Sequence, residues 1–121
     1  SKGTNVGATL AAVAGMPGSL VVIAGGQGKG QDFTPLAAAF RDKVRHVVLI
    51  GQDAKLIAEV LSGVATYEFA VDMRDAVQRA AAAARPGETV LLSPACASLD
   101  MFRDYAHRGD EFAREVRRLS A

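Results

Sequence analysis

The chain has 121 residues, half of them apolar and 22% charged, with a formal net charge of +1. That size and balance predict one globular domain with a real hydrophobic core, and the near-neutral charge excludes a strongly electrostatic nucleic-acid binder. No run approaches the roughly 18 apolar residues of a membrane span, and a single cysteine forms no internal disulfide, which fits a cytoplasmic protein.

The opening Ser1-Lys2-Gly3-Thr4-Asn5 carries neither a charged-then-apolar leader nor a methionine, which predicts a domain excised from a longer protein. Thr4 or Asn5 caps a helix to about Val13, which Gly15, Pro17 and Gly18 end. Leu20 to Ala24 is an apolar, β-branched run stopped by glycines, the pattern of a buried parallel strand. Thr34-Pro35 starts a short helix from Leu36 to about Asp42, with Thr34 as cap and proline in the first turn. A second strand runs from His46 to Ile50. Asp53 then opens a helix whose Ala54, Ile57, Ala58 and Leu61 share one face.

Ser62-Gly63 ends that helix, and Tyr67 to Val71 reads as a shorter, alternating strand. Asp72 and Asp75 form an acidic variant of a capping box for a helix whose Met73, Ala76, Val77, Ala80, Ala81 and Ala84 line one side. Pro86-Gly87 stops it, and Thr89 to Leu92 is the fourth strand. The chain closes with two helical pieces, Leu99 to about His107 and Glu111 to Leu119, divided by Gly109, with Asp110 capping the second. Strands alternating with helices predict an α/β fold: a small Rossmann-like three-layer domain with a mostly parallel sheet flanked by helices.

Three stretches carry the chemistry. After the first strand, Gly25-Gly26-Gln27-Gly28-Lys29-Gly30 presents one lysine among four glycines at the strand's carboxyl end, where open α/β sheets bind ligands. It is not a Walker A loop, because Gly30 stands where the magnesium-binding hydroxyl belongs, and it also breaks the dinucleotide fingerprint. Two readings stay open: a glycine-rich turn with a solvated lysine, or an anion clamp. After the fourth strand, Ser93-Pro94-Ala95-Cys96-Ala97-Ser98 offers small residues and a helix start at Ser98. That is either an ordinary N-cap or an anion site supplied with free N–H groups. The third stretch is Ser1 to Asn5, with Lys2 beside a helix start.

Cys96 has no partner at nucleophile spacing, no cluster has metal-ligand spacing, and no carboxylate pair is set for acid–base work. Tyr105 faces either a ligand or the core. His107 to Glu111, with Arg114, Arg117 and Arg118, reads as a solvated helix face.

Ser1 to Thr9, Gly25 to Phe33, and Leu91 to Asp100 with Phe112-Ala113 together resemble the carboxyl-terminal domain of the Mur ligases, and within them the branch that adds D-glutamate. The likeness covers essentially the whole chain in order. It implies an ATP-dependent amide ligase of peptidoglycan precursor synthesis in the bacterial cytoplasm, with no nucleic-acid or membrane partner. ATP phosphorylates the carboxylate of UDP-MurNAc-L-alanine, and the amine of D-glutamate attacks the acyl phosphate. The resemblance implies three domains: an amino-terminal one for the uridine nucleotide, a central one that holds ATP and Mg, and this one, silent alone.

By the same resemblance Lys29 pairs with a D-glutamate carboxylate, and Thr4 and Ser98 hold its side-chain carboxylate. Leu99 follows as a backbone contact, Tyr105 stands where a phenylalanine makes another, and Lys2 lies on the nucleotide side. Gln27 occupies a place that is often acidic in the family.

Overall fold

The computed structural model describes residues 6–26, 30, 32–92 and 105–119, with the main chain only for 105–107, 118 and 119. The elements are α1 (Val6–Gly15), β1 (Leu20–Gly25), α2 (Pro35–Phe40), β2 (Val44–Ile50), α3 (Ala54–Leu61), β3 (Thr66–Phe69), α4 (Met73–Ala83), β4 (Thr89–Leu92) and α5 (Tyr105–Leu119). The four strands form one sheet in the order β3-β2-β1-β4, and every pairing is parallel. The expected α/β architecture is the observed one. No described helix is long and apolar enough to cross a membrane.

The helices divide between the two faces according to which strand positions they cover. Val6 and Val13 of α1, Leu36 and Phe40 of α2, and Ile57, Ala58 and Leu61 of α3 pack with Leu20, Val22, Val47 and Leu49. The alternate strand residues Val21, Ile23, Val48 and Ile50 pack with Met73, Ala76, Val77 and Ala80 of α4, joined by Phe112 of α5. Alternation puts successive side chains on opposite faces, so β1 is apolar throughout because both faces are covered. From β1 the chain moves through β2 to β3 on one side, then returns past both to β4 with α4 on the other face. Right-handed crossovers in opposite directions require that change of face.

Several boundaries move. β2 begins at Val44, before the expected His46. β3 ends at Phe69, and Val71 lies outside it, 82% exposed. Thr34 does not cap α2 with its side chain: its own backbone is already helical. Its hydroxyl and its main-chain N–H (2.9 Å) both donate to Asp32 Oδ1, so the cap-like acceptor is the aspartate two residues earlier. The Asp72–Asp75 cap is present, with Asp75 N–H donating to Asp72 Oδ1 at 2.8 Å. Asp75 in turn accepts from Val71 N–H at 3.0 Å.

The last helix corrects two expectations. It runs unbroken for 15 residues through Gly109, because that glycine keeps helical geometry inside a helix packed on α4. Its polar face is also not simply solvated: Arg108 is 1% exposed and Glu115 6%. Both lie at helical spacing from Phe112, which packs into the core.

Candidate functional site

The site begins where β1 ends. Gly25 is paired with Ile50 and takes φ +126°, and a Cβ there would stand 1.8 Å from the Ile50 carbonyl oxygen. Only a glycine lets the two backbones approach that closely. Gly26 (φ +130°) follows, and its carbonyl accepts the Asp53 main-chain N–H at 2.9 Å. The start of the glycine loop is thereby tied to the start of α3.

The loop's return is held as well. Phe33 is 5% exposed within the core, and Asp32 accepts both bonds from Thr34. The Thr34 hydroxyl, and after it the Thr34 N–H, hold the Asp32 carboxyl below its usual range.

Topology makes this edge the candidate ligand edge. β1 sends its chain to α2 on one face, while its neighbour β4 belongs to the return on the other. The carboxyl ends of β1 and β4 are therefore the switch point of the sheet, where open α/β folds leave a crevice. The amino end of α1 faces the same edge. Its other end is fixed at the far side, where Lys43, just before β2, donates to the carbonyls of Ala14 (3.3 Å) and Met16. The described flanks of all three predicted stretches, namely Val6, Gly26 with Asp32, and Leu92, thus belong to one edge.

The predicted residues themselves fall differently. Lys2, Thr4, Lys29, Ser98 and Leu99 lie outside the described residues. Tyr105 is the first residue of α5, described by its main chain only. Sequence reading missed Arg108, whose side chain heads the largest fully buried ones among the described residues. The available signal was its place four residues before Phe112, on the apolar stripe of the helix.

A magnesium–triphosphate group does not fit the residues described. The first hydroxyl after Lys29 in sequence is Thr34, and it donates to Asp32. Among the described residues no group of three or more His, Cys, Asp or Glu is placed to hold a metal ion.

The opposite, amino edge carries a structural network. Arg45 grips Glu88 through Nε (3.1 and 2.9 Å) and Nη2 (2.7 Å), and also donates to the Ala83 carbonyl. Ser19 Oγ (2.6 Å) and Arg85 N–H (2.8 Å) complete the carboxylate's shell. Arg45, then Ser19 and Arg85 N–H, pull Glu88 far below the usual carboxylate range. A cavity of about 600 Å³ opens beside this network, lined by Ser19, Arg41, Lys43, Arg45 and Thr66 among others. Its Lys43 and Arg45 are committed to α1 and Glu88, and it lies at the edge of the sheet where parallel strands begin.

At the edge of β2 and β3, His46 sits between Thr66 Oγ1 and Glu68 Oε2, both at 2.6 Å. Burial opposes the charge on Glu68, but hydrogen bonds from His46 and Arg79 outweigh it and leave the carboxyl lowered.

A four-stranded all-parallel sheet flanked by helices defines an α/β domain of Rossmann-like type, and a family model narrows the class. The model described as "Mur ligase, glutamate ligase domain" matches residues 1–96. The chain belongs to this family.

Relatives named UDP-N-acetylmuramoylalanine--D-glutamate ligase match it nearly end to end. The protein of Bordetella pertussis is 61% identical over 121 residues, 99% of this chain and 24% of the relative. That of Aromatoleum aromaticum is 59% identical over 120 residues, 98% of this chain and 26% of the relative. That of Legionella pneumophila is 54% identical over 123 residues, 98% of this chain and 28% of the relative. The chain therefore spans about a quarter of the length of the curated relatives it matches.

Proposed function

We propose that this chain is the D-glutamate-binding, site-closing domain of an ATP-dependent amide ligase that joins D-glutamate to UDP-MurNAc-L-alanine in the cytoplasm. The observation that carries the reading is the high identity, along nearly all of the chain, to proteins that bear that ligase's name. On this reading the 121 residues form one domain of a longer enzyme, silent in isolation. ATP and Mg belong mainly to parts of the enzyme beyond this chain.

The chemistry of the proposed receptor suits an amino-acid dicarboxylate. D-glutamate brings two carboxylates and an amine that must be free of its proton to attack. Lys29 supplies a full positive charge to one carboxylate, while the hydroxyls of Thr4 and Ser98 donate to the other, with Leu99 and Tyr105 adding main-chain contacts. Lys2 faces the nucleotide side. Anchoring the Lys29 loop at Gly26 and Asp32 supports the role, since a clamp works best when its mount is ordered before the ligand arrives. Closing this domain over the acyl phosphate excludes water that would waste it.

The test is phosphate release by the full-length protein supplied with ATP and UDP-MurNAc-L-alanine. Release must depend on D-glutamate, and this chain alone must give none. A preference for L-glutamate or lysine over D-glutamate overturns the assignment.

A further inference from the structure

We propose that the outer edge of β3 pairs with the same edge of a second copy of this chain, joining two four-stranded sheets into one; the proposal stands apart from the ligase reading. β3 ends the strand order β3-β2-β1-β4, so among the described residues only its β2 side is paired. Val47 lies beside Tyr67 and Leu49 beside Phe69, and the Ala70 N–H donates to the Leu49 carbonyl at 2.8 Å. Along one strand of a parallel pair, residues that bond to the neighbour alternate with residues that do not. Thr66, Glu68 and Ala70 therefore turn their main-chain groups to β2, and Tyr67 and Phe69 turn theirs outward.

Both ends of that outward run are closed. The Val71 N–H donates to Asp75 Oδ2 at 3.0 Å, and the Ala65 N–H donates to the Leu61 carbonyl at 3.3 Å. The groups left between them are self-complementary. An antiparallel copy with Glu68 opposite Glu68 sets each Tyr67 against Phe69 of the other copy, and both pairs exchange N–H···O=C bonds. A slide of two residues in either direction would need the N–H of Val71 or of Ala65, which is already used.

The side chains suit the same two-fold. Tyr67 and Phe69 stand edge to face with ring centroids 5.9 Å apart, and they are 40% and 46% exposed. Pairing packs each ring against its opposite number across the strands, the kind of contact that stabilises antiparallel pairs. β3 contains no lysine or proline, the residues that commonly blunt an edge. Beside it, α3 forms with Tyr67 and Phe69 a groove of about 520 Å³ whose lining includes Lys55 and Glu59. The two-fold runs α3 antiparallel to its copy and brings Lys55 of each level with Glu59 of the other. Glu68 meets its own copy, a repulsion, but Arg79 (3.1 Å) and His46 (2.6 Å) already hold that carboxylate. Because β3 lies at the far end of the strand order from β4, pairing leaves the β1–β4 crevice uncovered.

The experiment is sedimentation velocity of the full-length protein from low micromolar to near-millimolar concentration, with residue-resolved amide exchange on the same samples. The mass should rise from one copy to two and stop there, because an isologous contact closes on itself. Exchange at the Tyr67 and Phe69 amides should slow as the dimer fills, while Val71, already bonded to Asp75, keeps one rate. Phe69→Pro removes an N–H that β2 does not use, so the β2–β3 ladder stays intact while the dimer weakens about tenfold or more. Lys55→Glu also weakens it, and adding Glu59→Lys restores it. A single copy at every concentration overturns the proposal, and so does growth beyond two. A dimer that survives Phe69→Pro, or that forms with unchanged exchange at Tyr67 and Phe69, overturns it as well. If Phe69→Pro fails to fold, the wild-type exchange series decides the question alone.

Discussion

Replacing Gly25 by alanine tests the backbone contact on which the candidate edge is built. The added Cβ would stand 1.8 Å from the Ile50 carbonyl oxygen and 2.9 Å from both the carbonyl carbon and the nitrogen of the same residue. The closest of these falls roughly 1.5 Å or more short of a comfortable contact. All three atoms are main chain of the adjacent paired strand, so no side-chain rotation relieves them. Forcing β1 and β2 apart is an overpacking cost of about 1–3 kcal/mol, and holding alanine at φ +126° adds roughly 1–3 kcal/mol. The expected loss is about 2–6 kcal/mol, a large share of a typical domain's stability of roughly 5–15 kcal/mol. For a chain of this size that is a fall of about 8–24 °C in Tm.

Gly63→Ala is the matched control, since Gly63 has φ +77° and nothing within 4 Å of a built Cβ. It pays only the left-handed backbone term, about 1 kcal/mol, or roughly 4 °C. Thermal melts followed by far-UV circular dichroism, with urea titrations to confirm that m is unchanged, give both numbers. If Gly25→Ala melts within a few degrees of Gly63→Ala, the β1–β2 approach is not what demands glycine, and the reasoning fails.

Lys29→Ala in the full-length enzyme is expected to raise the D-glutamate KM and lower kcat, together costing about tenfold or more in kcat/KM, while its Tm barely moves; an unchanged kcat/KM removes Lys29 from the site. Glu88 is held below the usual glutamate value near 4.5, so it binds its proton less readily folded than unfolded. Its stabilisation is therefore complete above that value and drains away as the pH falls below it. Melts of wild type and Glu88→Gln between about pH 7 and pH 3 should show a Tm gap that narrows on acidification; a gap that widens contradicts the Arg45 pairing. Asp72→Ala removes the acceptor for Asp75 N–H at the start of α4 and should cost about 1 kcal/mol by urea denaturation, with no loss at all showing that the cap is not used.

Most of the fold is legible in the residues because burial on both faces writes itself into composition. Leu20 to Ala24 admits no polar residue, and glycine marks the ends of β1 and β2. Boundaries were less legible where pairing overrules pattern: Val44 and Arg45 join β2 because β1 offers a partner for Val44 at Leu20. The α5 helix was the least legible. Arg108, Gly109, Asp110 and Glu111 carry the composition of a turn, and only packing against α4 makes a continuous helix of them.

The candidate site splits along the same line. Its position follows from strand order and the glycines. The roles of Lys29, Thr4, Ser98, Leu99, Tyr105 and Lys2 came from resemblance, since a lysine between glycines serves solvent and ligand equally well on chemistry alone. Arg108 stayed hidden because burial of a charge depends on neighbours distant in sequence.

The two ties at Gly26 and Asp32 set a length. Lys29 is three residues from each, and three residues of chain span at most roughly 10 Å. Covalent reach alone therefore keeps the Lys29 Cα within about that radius of the end of β1, and its ammonium, on a side chain roughly 6 Å longer, within about 16 Å, equivalent to a concentration on the order of 0.1 M. On the proposed role of Lys29, lengthening the loop by even a few residues would dilute the charge with every other contact intact and weaken D-glutamate binding, so loop length would itself set affinity.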